Sequence, residues 1–153
     1  EAVMYQRILV AIDGSATATK GLQEALRLAQ LTKAKVCLLH VVDEIRHVTG
    51  FETFAAYAQE VLPRLKAAGE RVLEQGHEQA RRAGVEAEER LRMSSAERLC
   101  DVLREQADAW GADLIVIGTR GRHGVNRMLL GSDAEQVLRT ARVPILLVRG
   151  DPA

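Results

Sequence analysis

The stretch RILVAIDGS, residues 7–15, decides the fold. Ile8 to Ile12 is an unbroken apolar run, too short for a helix and rich in branched residues, and it stops at Asp13-Gly14-Ser15. Such a run suits a strand covered on both faces, the condition of a strand inside a parallel sheet. Ala18, Leu22, Ala25 and Ala29 then recur at helical spacing, with Ser15 or Thr17 placed to cap the helix start. A second buried run, AKVCLLHVVD (34–43), follows the helix.

The alternation continues along the chain. Residues 44–54 are polar and irregular, a connection long enough to cover a ligand. Leu62, Leu65, Val72 and Ala80 mark a long helix to Ala83, with Pro63 near its start or at a kink and Gly84 ending it. VEAEERLRM (85–93) is the most polar strand candidate and belongs at a sheet edge. Ser94 and Glu97 have capping-box spacing ahead of Leu99, Val102, Leu103 and Trp110. ADLIVIG (112–118) is a fourth strand. Ser132 and Glu135 repeat the capping-box spacing, Ala134, Val137, Leu138 and Ala141 form an apolar face, and VPILLVR (143–149) is a fifth strand.

Strands alternating with helices predict a doubly wound α/β domain spanning 1–153, a five-stranded parallel sheet with helices on both faces. The common orders 2-1-3-4-5 and 3-2-1-4-5 both put the ligand crevice beside the carboxyl end of the first strand, and we take 3-2-1-4-5 as the expectation. Asp13 and the loop 118–132 would both reach that crevice.

Composition narrows the function. With 21 basic and 21 acidic residues and 3% aromatics, the chain has neither the charge nor the stacking surface expected of a nucleic-acid binder. No run approaches the ~20 apolar residues of a membrane helix, and no secretory leader is evident. Cys37 and Cys100 lack disulfide or metal spacing and read as small core residues of a reduced, cytoplasmic protein.

The loop GTRGRHGVNRMLLGS (118–132) carries the chemistry. Repeated glycines let main-chain N–H groups converge on phosphate oxygens, and a helix starting near Ser132 presents further N–H groups and a partial positive charge. Ser132 could donate its hydroxyl to a phosphate or serve only as a helix cap, and Gly118 could admit a ribose against the backbone. Arg120, Arg122, His123 and Arg127 read as solvated loop charges. A Walker loop would need Lys before the serine, where Gly131 stands, and a dinucleotide fingerprint would follow the first strand, where Gly14 is alone.

With RILVAIDGS, LLHVVD and the run from ADLIVIG to VPILLVR in place, the sequence resembles the universal stress protein family over nearly its whole length. The ATP-binding members share GxxG, nine residues, then G(S/T), and Gly118, Gly121, Gly131 and Ser132 meet that pattern with 122–130 as spacer. The resemblance implies one adenine nucleotide (ATP, or ADP or AMP) per subunit, held at ribose and phosphates by those four residues. It further implies that Asp13 lies near the ribose or a Mg²⁺ ion carried by the phosphates, that backbone around Val41 or Val42 meets adenine, and that two copies pair through the strand 143–149. Asp133, beside Ser132, stands where many relatives have a neutral residue; it suits the helix dipole but would repel a γ-phosphate if turned inward.

The expected function is a nucleotide-binding stress-response module acting on an unknown protein partner, because no acid–base pair or activated nucleophile can be assembled from the sequence. The alternative is a slow Mg-dependent ATPase or nucleotidyl or phosphoryl transferase, with Asp13 as metal anchor and His123 or an arginine stabilising charge. A phosphoacceptor receiver domain would want clustered acids after the first strand and a lysine after the last, and neither is present. His40, inside a strand, reads as a core residue.

Overall fold

The four apolar runs and the polar one all become strands, and every pairing between them is parallel. The computed structural model describes residues 3–47, 50, 53–119 and 131–150. In it β1 (Arg7–Ala11), β2 (Lys35–Asp43), β3 (Ala87–Ser94), β4 (Leu114–Gly118) and β5 (Ile145–Val148) form one sheet in the order β3-β2-β1-β4-β5, as expected. Between them run α1 (Ala16–Thr32), α2 (Phe54–Ala56), α3 (Leu62–Arg82), α4 (Leu99–Trp110) and α5 (Ser132–Thr140).

β1 is central, paired with β2 from Arg7↔Lys35 to Ala11↔Leu39 and with β4 from Ile8↔Leu114 to Val10↔Val116. Its side chains therefore alternate between two covered faces, which is why the run carries no polar residue. Ile8, Val10 and Ile12 pack with Leu22, Ala25 and Leu26 of α1 and Leu73 of α3; Leu9, Cys37 and Leu39 pack with Cys100, Leu103 and Trp110 of α4 and Val137 of α5. Both cysteines are buried free thiols, and burial pushes the Cys37 thiol up to about 11. The polar strand β3 lies at one edge as its composition required, and β5 lies at the other.

The long helix runs from Leu62 to Arg82 with Pro63 in its first turn, as expected, but it continues an earlier helical stretch, and two other local expectations are corrected. Helical structure starts at Phe54, capped by the Thr53 hydroxyl, and passes through one π turn, Tyr57–Val61, before α3. The Leu62 N–H reaches back five residues to the Tyr57 carbonyl. Pro63 explains the widening: it has no N–H, and in a regular turn its ring would meet the carbonyl four residues earlier.

Ser94 and Glu97 do not form a capping box. Ser94 is still in β3, paired with Asp43, so α4 cannot begin there and starts at Leu99. The pair closes the intervening turn instead: the Ser94 hydroxyl donates to Glu97 Oε2 at 2.9 Å, and the Ser95 and Ala96 N–H groups donate to the same oxygen at 3.2 and 3.3 Å.

Leu138, placed on the apolar face of α5, is 44% exposed, whereas Ala134 and Val137 are buried as expected. The helix lies over β4 and β5 at the end of the sheet, where no further strand or helix of the described chain covers its outer side.

Candidate functional site

A parallel sheet brings all its carboxyl ends to one rim, and here the rim collects most of the residues singled out from sequence. β1 stops first. Ile12 makes one last ladder bond, its N–H donating to the Leu39 carbonyl at 2.9 Å, and the chain then turns at Asp13-Gly14-Ser15. Asp13 Oδ1 accepts the Ser15 N–H at 2.9 Å, Gly14 sits at φ +80°, and Ser15 Oγ accepts the Ala18 N–H at 3.2 Å. The two cap candidates are thereby separated: Ser15 caps α1, and Thr17 is free for another task.

That task is packing against the end of β4. A Cβ on Gly118 would lie 2.7 Å from Thr17 Cγ2 and 3.2 Å from the Thr17 carbonyl carbon and oxygen. A Cβ on Gly150 would lie 2.7 Å from Thr17 Oγ1. Glycine at 118 is thus demanded by the approach of α1 to the sheet, and the sequence pattern alone did not reveal Thr17 as its cause.

Beyond Gly118, the Thr119 N–H donates to the Val148 carbonyl at 2.9 Å, and the Gly131 N–H donates to the Thr119 carbonyl at 2.9 Å. This second bond returns the chain to the rim at the point where α5 starts. Gly131 is the N-cap and Ser132 the first helical residue, with no side-chain cap, so the expected Ser132–Glu135 box is not formed. The first bond of the helix runs from the Glu135 N–H to the Gly131 carbonyl at 3.0 Å. The N–H groups of Ser132, Asp133 and Ala134 consequently have no acceptor within the helix. Ser132 and Asp133 are exposed. Gly121, Gly124, Arg120, Arg122, His123, Arg127 and the rest of the spacer 122–130 lie outside the described residues.

On the other side of β1, β2 runs on to Asp43, still paired with β3 through Asp43↔Ser94. Val42 is buried and Val41 half-buried. The peptide groups of β2 alternate between its neighbours: Lys35 N–H goes to Gln6 on the β1 side, and Val36 N–H to Glu86 on the β3 side. By that alternation the Val41 peptide faces the β1 side, above the point where β1 has ended.

The segment after β2 is tied back over this end of the sheet. The Tyr57 hydroxyl donates to Glu44 Oε1 at 2.6 Å, and that bond pushes the Tyr57 phenol up to about 12. His40 is buried as expected. Its Nδ1 lies 2.7 Å from the Ile12 carbonyl oxygen.

Among the described residues no group of three or more His, Cys, Asp or Glu could hold a metal by itself. No helix among them is long and apolar enough to cross a membrane. A hollow of about 320 Å³ between Gln30, Lys33, Gly84 and Glu86 lies at the opposite end of the sheet and gathers none of these residues.

Comparison with known proteins agrees with this geometry. The model of the Universal stress protein family matches residues 4–149. Universal stress protein YxiE of Bacillus subtilis is 34% identical over 151 residues, covering 95% of this chain and 100% of its own. Among solved structures, the hypothetical protein MJ0577 shares the fold with a TM-score of 0.84 at 24% identity, covering 99% of this chain and 100% of its own. A universal stress protein from Archaeoglobus fulgidus solved in complex with dAMP has a TM-score of 0.69 at 25% identity, covering 95% of this chain and 98% of its own. A universal stress protein solved in complex with cAMP has a TM-score of 0.67 at 26% identity, with the same coverage of 95% and 98%.

Proposed function

The chain belongs to the universal stress protein family, and from that premise we propose that it is an adenine-nucleotide-binding regulatory module of the stress response, working in the cytoplasm. The observation that carries the reading is the bond from the Gly131 N–H to the Thr119 carbonyl, which sets the N-terminus of α5 at the rim beside β1. A phosphate there would meet three main-chain N–H groups without helical acceptors and the positive end of the helix dipole, each such contact contributing ~0.3–1 kcal/mol when exposed. The dAMP and cAMP complexes of related proteins support an adenine ligand.

In this reading Gly118, Gly121, Gly131 and Ser132 surround ribose and phosphates, Asp13 accepts ribose hydroxyls, and the backbone at Val41 and Val42 meets the base. Asp133 lies beside the phosphates. The physiological ligand is ATP, with ADP and AMP as its lower homologues. A Mg²⁺ ion fits the donors present, since this ion is commonly held by one or two carboxylates together with phosphate oxygens, and Asp13 is the carboxylate at the end of β1. The ion would offset phosphate charge; Asp13 would orient it.

β5 is the second element of the proposal. It is an edge strand with Leu146 37% exposed, and Pro144 precedes it without needing to donate to a neighbour. A second copy paired about a two-fold axis would cover both edges.

The test is to denature the purified protein, identify released nucleotide by chromatography, and titrate the emptied protein with ATP, ADP and AMP. Stoichiometric adenine nucleotide, lost in Gly131→Asp, is the expected result. No released nucleotide and no thermal shift with ATP and Mg²⁺ would overturn the reading. For the dimer, Leu146→Asp should halve the sedimenting mass, and an unchanged mass would reject pairing through β5.

A further inference from the structure

The β1–β2 register provides for one bond beyond the last one made, and a histidine side chain stands at the acceptor of that bond. With Arg7 opposite Lys35 and Ala11 opposite Leu39, the parallel pattern assigns the Lys35 N–H to the Gln6 carbonyl and the Ile12 N–H to the Leu39 carbonyl, and both bonds are made, at 3.0 and 2.9 Å. The next bond in the series would run from the Val41 N–H to the Ile12 carbonyl. That acceptor is taken by His40 Nδ1 at 2.7 Å. A carbonyl offers no proton, so Nδ1 is the donor.

His40 is held in this pose from above. It is 9% exposed, and a Cβ on Gly69 of α3 would come within 3.1 Å of its Cδ2, 2.7 Å of Leu91 Cδ1 and 3.4 Å of Val42 Cγ2. A side chain at 69 would press on the imidazole and on Leu91, so α3 lies close over the ring. The ring therefore has little room to leave Ile12.

We propose that His40 is a positioning residue for the base of the nucleotide: by occupying the Ile12 carbonyl it keeps the Val41 N–H and C=O out of the sheet and directed into the crevice. A peptide N–H and C=O side by side match the acceptor and donor on the Watson–Crick edge of adenine and oppose those of hypoxanthine. This rests on the nucleotide-binding reading above, but its structural half concerns the empty protein.

The experiment combines amide exchange by NMR with binding of AMP, IMP and inorganic tripolyphosphate. In the wild-type protein without ligand the Val41 amide should exchange much faster than the Leu39 amide, and AMP should shift and protect it. His40→Leu removes the donor. Its Val41 amide should become protected, its AMP affinity should fall roughly tenfold, the scale of one buried hydrogen bond, and its AMP-to-IMP preference should shrink by a similar factor. Tripolyphosphate binding should stay within about twofold, because phosphate contacts do not involve β2. His40→Asn, which keeps an N–H near the Nδ1 position, should restore AMP binding and the AMP-to-IMP preference.

Equal losses for AMP and tripolyphosphate would reduce His40 to a general structural role and overturn the inference. So would a Val41 amide already protected in the unliganded wild-type protein, a result that needs no variant to fold. A Val41 amide already protected in the empty protein, in a protein that still binds AMP, sinks the His40 inference alone. A fast-exchanging Val41 amide in a protein that binds no AMP sinks the nucleotide reading while the early ladder end stands.

Discussion

Thr17 occupies the space in which a side chain at Gly118 would stand, its Cγ2 lying 2.7 Å from where that Cβ would be. The first turn of α1 and the last residue of β4 are therefore fitted to each other at the rim of the crevice. Asp13 and Ser15 lead into α1 and Thr119 leads out of β4, so the contact lies between the two walls of the proposed nucleotide site, whose strands are already paired side by side.

Gly118→Ala should accordingly destabilise the protein, although Gly118 is not in the left-handed region and its backbone would accept alanine. Overpacking of this kind costs about 1–3 kcal/mol. Thr17→Ser removes Cγ2, so the double variant should regain part of the loss. Full recovery is not expected, because the Thr17 carbonyl carbon and oxygen remain 3.2 Å from the new Cβ. Thermal unfolding of the four proteins gives the cycle, and strict additivity would show that the two residues do not press on each other.

A similar fit joins α3 to β1. A Cβ on Gly76 would lie 2.8 Å from Ile12 Cδ1 and 3.4 Å from Leu38 Cδ1. Alanine inside a helix gains roughly 0.5–1 kcal/mol over glycine, less than the usual cost of overpacking. Gly76→Ala alone should therefore lower the melting temperature. In an Ile12→Val background, which deletes the clashing methyl, the same substitution should instead stabilise, offsetting part of the roughly 0.5–1.5 kcal/mol that Ile12→Val costs alone; chemical denaturation midpoints decide it.

The sheet was legible because burial on two faces leaves a mark that depends on few neighbours: Ile8 to Ile12 has no place except between two helical layers. The edge position of β3 followed from the same contrast between apolar and polar runs, whereas the strand order was taken as one of the two usual for such a sheet. Helix starts were legible only in part: Ser15, one of the two cap candidates, does cap α1, whereas other starts were missed. Ser94 and Glu97 have the spacing of a cap, but whether Ser94 is available depends on β2 running as far as Asp43, a fact of pairing and not of local sequence. The helical stretch from Phe54 that precedes Pro63 was not read, since a π turn can absorb a proline and leaves no periodicity to read. Of the residues assigned to the proposed site, Gly118, Gly131 and Ser132 were named from a motif and Asp13 from its place after the first strand. Thr17 and His40 act through contacts with residues about 100 and 28 positions away, which no motif carries.

The bond between Tyr57 and Glu44 gives the segment after β2 a signature in alkali. A phenol raised to about 12 by donating to a carboxylate keeps its proton more firmly in the folded protein than in the unfolded chain, near 10. Its contribution to stability is thus complete below about pH 10 and is lost as pH rises from there through about 12. Ultraviolet titration of tyrosinate should show a step near pH 12 in the folded protein, absent in Tyr57→Phe and shifted down in Glu44→Gln. A Tyr57→Phe curve that keeps the high step would show that the bond does not hold in solution.

Asp133 poses the opposite question, of a charge that helps the helix and opposes the ligand. It is exposed in the first turn of α5, where a carboxylate favours the dipole by about 0.3–1 kcal/mol. If phosphates dock on the same three N–H groups, the two anions compete for one field. Asp133→Asn should then lower thermal stability slightly while tightening ATP by roughly fivefold, ~1 kcal/mol on the same scale, and leaving adenosine unchanged. Added salt should narrow the gap between wild type and variant, because an exposed charge is screened within about 10 Å at 0.1 M. Calorimetric titration with ATP and adenosine separates the cases: a gain shared by both ligands would place the effect in the protein's folding, whereas a gain confined to ATP places Asp133 against the phosphates.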